Sequence, residues 1–286
     1  MDYVVYPGCL SSTEQYSYEV SCFHVLKHLN INFGYAENVN CCGFPIRSLN
    51  SFGWLYLSSR LMAVLEKYSK PCIILCNWCH ASLTYAKKIL NEDQSLMDWV
   101  NSLLSKEGLK YYGNLNFKHI LELFHNDIGI EKLKSNVKKP LNGFKFSIHP
   151  GCLYFRPKDI GRLDDPYEPH MLKELVELLG AEVEVNLDCC GWAIYKTNPD
   201  TGLTLAGNRI KLASNTDGII ISCPHGGEML DKLYGNACKT VGFNGEVPVL
   251  YYTQILGLSM DIEPRELALN LNKSPVNKIL KSLTQT

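Results

Sequence analysis

The chain lacks any large excess of charge of one sign. Its 286 residues carry 28 basic and 29 acidic side chains, a net charge of −1. No block of lysine and arginine forms, so a nucleic-acid surface has no electrostatic support. No apolar run reaches the roughly 18 residues that spanning a bilayer requires. The first residues, Met-Asp-Tyr-Val-Val, lack the basic n-region and long apolar h-region of a secretory signal. Low-complexity segments are also missing, which argues against a disordered chain. What remains is an ordinary globular composition, 46% hydrophobic and 20% charged. The length suits two domains, each able to bury a core.

Cysteine is the anomaly, with 12 in the chain. Without an export signal, the expected compartment is the reducing cytoplasm. There a dense cysteine pattern reads as metal binding or catalysis before disulfides. Nine cysteines form two series: Cys9, Cys41-Cys42, Cys76 and Cys79, then Cys152, Cys189-Cys190 and Cys223. The offsets between them are 143 (9 to 152), 148 (41 to 189) and 147 (76 to 223). Flanking residues repeat as well. Tyr6-Pro7-Gly8-Cys9-Leu10 answers His149-Pro150-Gly151-Cys152-Leu153, and Cys41-Cys42-Gly43 answers Cys189-Cys190-Gly191. The chain is an internal duplication, expected as domains 1–140 and 141–286. The second series lacks one member, because Gly226 stands where the first has Cys79.

The periodicity predicts alternating strands and helices. Apolar runs at 2–6, 72–76, 144–148, 183–185 and 218–222 read as strands. Helices are expected near 13–29, 54–68, 80–90 and 200–214, and another between Pro169 and Gly180. Alternation of this kind implies an α/β fold: two pseudo-duplicated domains, each a small parallel sheet flanked by helices. Ligands in such sheets lie beyond the carboxyl ends of the strands, which is where Cys9, Cys76 and Cys79 fall. Residues 129–143 read as a solvated linker carrying Lys132, Lys134, Lys138 and Lys139. Trp54, Tyr56 and Tyr68 read as helix core, and Cys22, Cys72 and Cys238 as small buried hydrophobes. His24 and His28 share a helix face without a third ligand in view.

Thiolates are soft ligands for zinc, copper(I) and iron–sulfur clusters. Adjacent Cys41 and Cys42 are too close along the chain for a disulfide of normal geometry, yet both reach neighbouring metal ions. Five cysteines exceed the four positions of tetrahedral zinc, whereas a multi-iron cluster can use them all.

The order Cys–x31–Cys-Cys-Gly–x32–Cys-x-x-Cys, followed by a near-copy, resembles the cysteine-rich CCG-domain family. Within it, the resemblance is to the B subunit of heterodisulfide reductase and its relatives. Further stretches agree: Leu75-Cys76-Asn77-Trp78-Cys79, Asp164-Asp165-Pro166 and Pro248-Val-Leu-Tyr-Tyr-Thr-Gln-Ile-Leu-Gly257. The likeness covers nearly the whole chain.

This resemblance implies an iron–sulfur oxidoreductase subunit that acts on a disulfide, thiol or protein-bound sulfur through two clusters. The family's non-cubane [4Fe-4S] cluster would be held by Cys9, Cys41, Cys42, Cys76 and Cys79. A second cluster would be held by Cys152, Cys189, Cys190 and Cys223. With four thiols, that second site suits a cubane [4Fe-4S] cluster, a non-cubane cluster with an open or His225-ligated iron, or zinc. His149 and His225 are the catalytic candidates, His149 as a proton donor. The implied partners are the ferredoxin-like iron–sulfur subunit (C-type) and the flavin subunit (A-type) of such a complex. Two alternatives stand beside this reading. One is an electron-transfer and membrane-docking subunit of an archaeal-type succinate dehydrogenase, docked through the tail 261–286. The other is a structural subunit that binds zinc.

Overall fold

The computed structural model describes residues 1–157 and 163–283. Eight strands form two sheets. β1 (Tyr3–Tyr6), β2 (Phe33–Tyr35), β3 (Cys72–Ile74) and β4 (Phe117–His119) make the first. β5 (Lys145–His149), β6 (Glu182–Val185), β7 (Gly218–Ile221) and β8 (Val249–Tyr251) make the second. The strand orders are β2-β1-β3-β4 and β6-β5-β7-β8, the same permutation twice, and every pairing is parallel. The duplication read from cysteine offsets is therefore a duplication of topology. The central strands are continuous apolar runs because helices cover both faces. Ile73, Ile74, Ile219, Ile220 and Ile221 are fully buried.

The two halves share a core. Val5, Tyr18, Val25, Ile73 and Leu75 of the first half pack in one continuous cluster with Phe146, Ile220, Tyr251 and Leu256 of the second. Helix Tyr16–His28 lies against helix Tyr252–Ser259 at this seam. Tyr18 and Tyr251 stack there, with ring centroids 4.2 Å apart. The Tyr18 hydroxyl lies 3.1 Å from the Leu75 carbonyl and 3.2 Å from the Ser222 carbonyl. Those two residues are duplicates of each other, each immediately before a series cysteine, so one buried side chain ties both sheets together.

Several expectations need correction. Residues 129–143 are no free linker. They contain helix Ile130–Ser135 and bury Leu133 and Leu141, and the Lys138 and Lys139 backbone N–H groups donate to the Ser259 carbonyl. The four lysines do face solvent. Helix Met171–Glu177 starts after Pro169, because the Asp164 carboxylate accepts the His170 and Met171 N–H groups and fixes the start there. Trp54 is core, but Tyr56 and Tyr68 are only half-buried, with hydroxyls bonded to Glu107 and to the Glu37 N–H. The tail proposed for membrane docking packs Leu267, Leu269, Val276 and Ile279 into the chain's own core, 6% exposed or less. Asp231 holds it by accepting from the Ser274 N–H and hydroxyl. Leu271 of the same stretch is exposed; residues 284–286 lie outside the described residues. Among the described residues, no helix is long and apolar enough to cross a membrane.

Candidate metal centres

Both cysteine series follow the carboxyl ends of strands. Cys9 comes after β1, Cys76 after β3, Cys152 after β5 and Cys223 after β7. Cys76 and Cys223 each stand at the N-cap of a helix in extended conformation. Cys41-Cys42 and Cys189-Cys190 follow the edge strands β2 and β6. Each adjacent pair ends in a glycine with positive φ, +75° at Gly43 and +84° at Gly191. That turn aims a backbone N–H back at the first sulfur of the pair. Gly43 N lies 3.5 Å from Cys41 Sγ, and Gly191 N lies 3.3 Å from Cys189 Sγ.

The turns before Cys9 and Cys152 need glycine for a second reason. Gly8 and Gly151 have φ near +86° and +85°. A Cβ on Gly8 would stand 3.0 Å from Cys76 Cβ and Cys79 Sγ, and one on Gly151 would stand 2.9 Å from Cys223 Cβ. Only a bare backbone lets the two cysteine-bearing turns approach this closely.

In the first set the sulfurs run as neighbours. Cys9 Sγ lies 3.6 Å from Cys41 Sγ. Cys41 is also hydrogen-bonded to Cys42, Cys42 to Cys79, and Cys79 to Cys76. The Cys42 and Cys9 thiols donate to Cys41, which holds that thiol well below the ordinary range, with the Gly43 N–H adding to the effect. Cys42 is pushed up, first by that hydrogen bond to Cys41 and then by its burial. Burial raises Cys76, but the Cys79 hydrogen bond and His225 outweigh it and leave Cys76 lowered. The second set repeats the pattern. Cys189 is lowered to about 6 by the Cys190 thiol and the Gly191 N–H, and Cys190 is raised. Cys152, Cys189, Cys190 and Cys223 line one pocket together with Trp78, His149, Trp192 and His225.

The sets meet at His225. Its Nδ1 lies 3.9 Å from Cys76 Sγ and 3.9 Å from Cys223 Sγ. Trp78 stacks on the imidazole at 4.6 Å, and Trp192 meets it edge-on at 4.1 Å. Asn77 ties the halves further, donating to the Pro150 carbonyl at 2.7 Å and facing His119 Nε2 through its oxygen. His149 is buried, which lowers it to about 3, and its Nδ1 has no partner.

The structure brings the five cysteines of the first series together as neighbours, and the four of the second line one pocket. Cys22, Cys72 and Cys238 stay in the core, and burial raises each of them. His24 faces Glu266 at 3.8 Å. Sequence reading gave no role to Trp78, Trp192 or Tyr18. Two signals were available: Trp78 lies inside Cys76-x-x-Cys79, and Trp192 follows Cys189-Cys190-Gly191 directly. Among the described residues, no three His, Cys, Asp or Glu side chains are grouped to hold a single metal ion.

The cysteine-rich domain family CCG matches residues 3–84 and again 146–231. The chain belongs to the CCG family of cysteine-rich domains. Its relatives extend the likeness over nearly the full length. It is 28% identical to an Archaeoglobus profundus protein described as similar to the B subunit of heterodisulfide reductase, covering 99% of this chain and 98% of that one. It is 28% identical to the B subunit of the ferredoxin/F(420)H(2)-dependent CoB-CoM heterodisulfide reductase of Methanosarcina acetivorans, covering 94% and 92%. It is also 29% identical to the 8-methylmenaquinol:fumarate reductase membrane anchor subunit of Wolinella succinogenes, covering 97% and 99%. Among solved structures, a hypothetical protein from Helicobacter pylori shares the fold with a TM-score of 0.74 at 14% identity. The match covers 95% of this chain and 51% of that one.

Proposed function

We propose that this chain is the iron–sulfur subunit of a heterodisulfide-reductase-like oxidoreductase complex. The observation that carries the reading is the meeting of five thiols and four thiols on either side of one imidazole, His225. Cys9, Cys41, Cys42, Cys76 and Cys79 hold a non-cubane [4Fe-4S] cluster, and Cys152, Cys189, Cys190 and Cys223 hold a second iron–sulfur cluster. The donor chemistry fits. The thiols are soft and run as a chain of neighbours, and two are pre-ionised by backbone and thiol donors. Five neighbouring sulfurs exceed the four positions of tetrahedral zinc and suit a polynuclear group better. The halves divide near residue 140.

A bound iron–sulfur cluster supplies one-electron storage. Splitting one disulfide takes two electrons, and two cysteine sets at one seam give two places to keep them. The chain's own residues do the rest. Gly43 and Gly191 N–H groups stabilise thiolate charge, and Trp78 and Trp192 keep water from the face of His225. Exposed Cys9, Cys152 and Cys189 leave the rim open toward substrate or partner. The substrate class is a thiol, disulfide or protein-bound sulfur. Electrons are exchanged with ferredoxin-like and flavin subunits in the cytoplasm.

The test is iron and acid-labile sulfide analysis of anaerobically purified protein, with paramagnetic-resonance spectra of oxidised and reduced forms. About eight irons per chain fit two four-iron clusters, and one iron or fewer would overturn the reading. The Wolinella relative favours a second reading, membership of a fumarate reductase complex. Partners recovered with the chain separate the two: a flavin and ferredoxin-like pair, or fumarate reductase subunits.

A further inference from the structure

The two copies differ at two positions that are neighbours in space. Position 6 is tyrosine and position 79 cysteine in the first copy; their duplicates are His149 and Gly226. Tyr6 and Cys79 are buried in the same core cluster, and after burial Cys79 is the largest influence on the Tyr6 hydroxyl. His149 and Gly226 are in contact. A Cβ on Gly226 would stand 3.2 Å from His149 Cδ2 and 3.6 Å from His149 Nε2. The imidazole edge therefore stands in the space into which a side chain at 226 would grow.

We infer that His149 completes the second cysteine set as an imidazole ligand, taking the place that Cys79 holds in the first. The assignment rests on the iron–sulfur reading of the two sets and adds a donor to it. Three further observations support it. His149 lines the same pocket as Cys152, Cys189, Cys190 and Cys223, so its ring faces the same space as those four sulfurs. Its side chain is 4% exposed, and Nδ1 has no hydrogen-bond partner among the described residues. The ring edge that faces position 226 carries Cδ2 and Nε2, so Nε2 is the donor nitrogen of this assignment, and Nδ1 lies on the opposite edge. Tyr6 differs on this point. Its hydroxyl donates to the Asn40 carbonyl at 2.9 Å, so its polar end is already satisfied within the first copy. Loss of the thiol and gain of the imidazole thus form one exchange: the ring needs the room that glycine leaves, and the set regains a fifth donor.

His225 is the competing histidine, because it touches both Cys76 and Cys223. Its position between the sets makes it a shared neighbour, whereas His149 belongs to the second set alone. The exchange also carries a redox consequence. Replacing a thiolate by a neutral imidazole removes one negative charge from the centre, and histidine-for-cysteine exchange raises cluster potentials.

The experiment uses full-length protein made with 15N-histidine and purified anaerobically. Hyperfine spectroscopy of the second centre should show one strongly coupled nitrogen in the wild type. That coupling should vanish in His149→Gln and persist in His225→Gln. Iron should fall from about eight to about four per chain in His149→Gln, with the circular dichroism unchanged. The double variant H149Y/G226C rewrites the second copy in the form of the first. It should regain iron without nitrogen coupling and show a lower potential than the wild type. Absence of coupling in a wild type with full iron would overturn the assignment, as would coupling that survives His149→Gln or disappears only in His225→Gln. A wild type holding no more than one cluster's iron would sink the underlying iron–sulfur reading of the second set, and the ligand assignment with it. Iron content reads that failure separately from the nitrogen coupling.

Discussion

Replacing Gly8 by alanine tests whether the Gly-Cys turn is shaped by the sulfurs it must approach. Gly8 has φ +86° and ψ 151°, a conformation that residues with a Cβ adopt at about 1–3 kcal/mol of strain. The new methyl would also stand 3.0 Å from Cys76 Cβ and Cys79 Sγ. Overpacking of that kind adds about 1–3 kcal/mol, because Cys76 Cβ is fixed to its backbone and Cys79 Sγ is buried. The chain contains its own control. Gly129 has φ +84° and ψ 151°, but a Cβ there would meet nothing within 4 Å. Gly129→Ala should therefore show the backbone strain alone, and Gly8→Ala the strain plus the collision, roughly 2–6 kcal/mol in total. Thermal unfolding reads the difference, at roughly 2–4 °C per kcal/mol for a chain of this size class. Iron analysis reads the consequence: Gly8→Ala should lose the first centre's share, and Gly129→Ala none. Equal melting temperatures and equal iron in the two variants would refute the reasoning.

Cys42→Ala should remove the first centre's iron while Cys72→Ala leaves it intact, since Cys42 belongs to the sulfur chain and Cys72 is a core residue; iron and sulfide assays decide it, and equal loss in both would contradict the ligand set. Gly227→Ala should destabilise the seam by about 1–3 kcal/mol, because its Cβ would overlap the Tyr251 hydroxyl and displace the hydrogen bond from Tyr251 to Gln15. Denaturant unfolding measures this, and an unchanged midpoint would count against it. Burial first, and then the charge of His80, hold His119 well below the usual histidine range. Its folded state is therefore neutral, and the unfolded chain takes up a proton as pH falls below about 6.5. Stability should be full above that pH and decline as the solution is acidified toward the depressed folded value. His119→Asn should make the decline in melting temperature between pH 7 and 5 shallower, with His80 and His149, lowered by burial to about 4 and about 3, supplying the remainder; an equally steep profile would show that His119 does not contribute.

Much of this arrangement was legible in the sequence because the duplication left countable landmarks. Offsets of 143, 148 and 147 between cysteines located both copies, and the apolar runs at the central strands were long enough to read. β2, β4 and β8 were not read as strands; each is three residues long, as is β3, which was read from the five-residue run 72–76 around it. The shared core was hidden for a different reason. Tyr18 lies 204 residues from Ser222, and no local pattern announces that its hydroxyl reaches both halves. His225 was legible as a residue beside Cys223, but not as a neighbour of Cys76, 149 positions away. In the tail, modest apolar spacing looks the same in sequence whether it faces a membrane or the chain's own core.

The duplicated backbone and the divergent side chains answer to different demands. What both copies retain is geometry: positive φ at Gly8 and Gly151, positive φ at Gly43 and Gly191, and an N–H aimed at the first sulfur of each adjacent pair. These features fix where donors stand and leave open which donors they are. The side chains around the second set differ in charge from those around the first. One thiol is missing at 226, and at the 148-residue offset the counterpart of fully buried Leu61 is fully buried Arg209. Arg209 donates to Ser147 Oγ and to the Ile148 carbonyl, directly beside His149, and its Nε and Nη1 have no partner. Burial lowers it to about 10, opposed by Asp188, Glu184 and Cys190. It therefore remains a cation at neutral pH, and a buried cation of this kind is tolerated only against compensating negative charge, which the Asp188 and Glu184 carboxylates provide. On the proposed assignment the first set has five thiolates with no counterpart to this cation, and the second has four with a guanidinium behind them. Cluster potential rises as the surrounding net charge becomes less negative. On the proposed assignment the missing thiol and Arg209 act to raise the potential of the second centre, and Asp188, the counterpart of Asn40, acts to lower it.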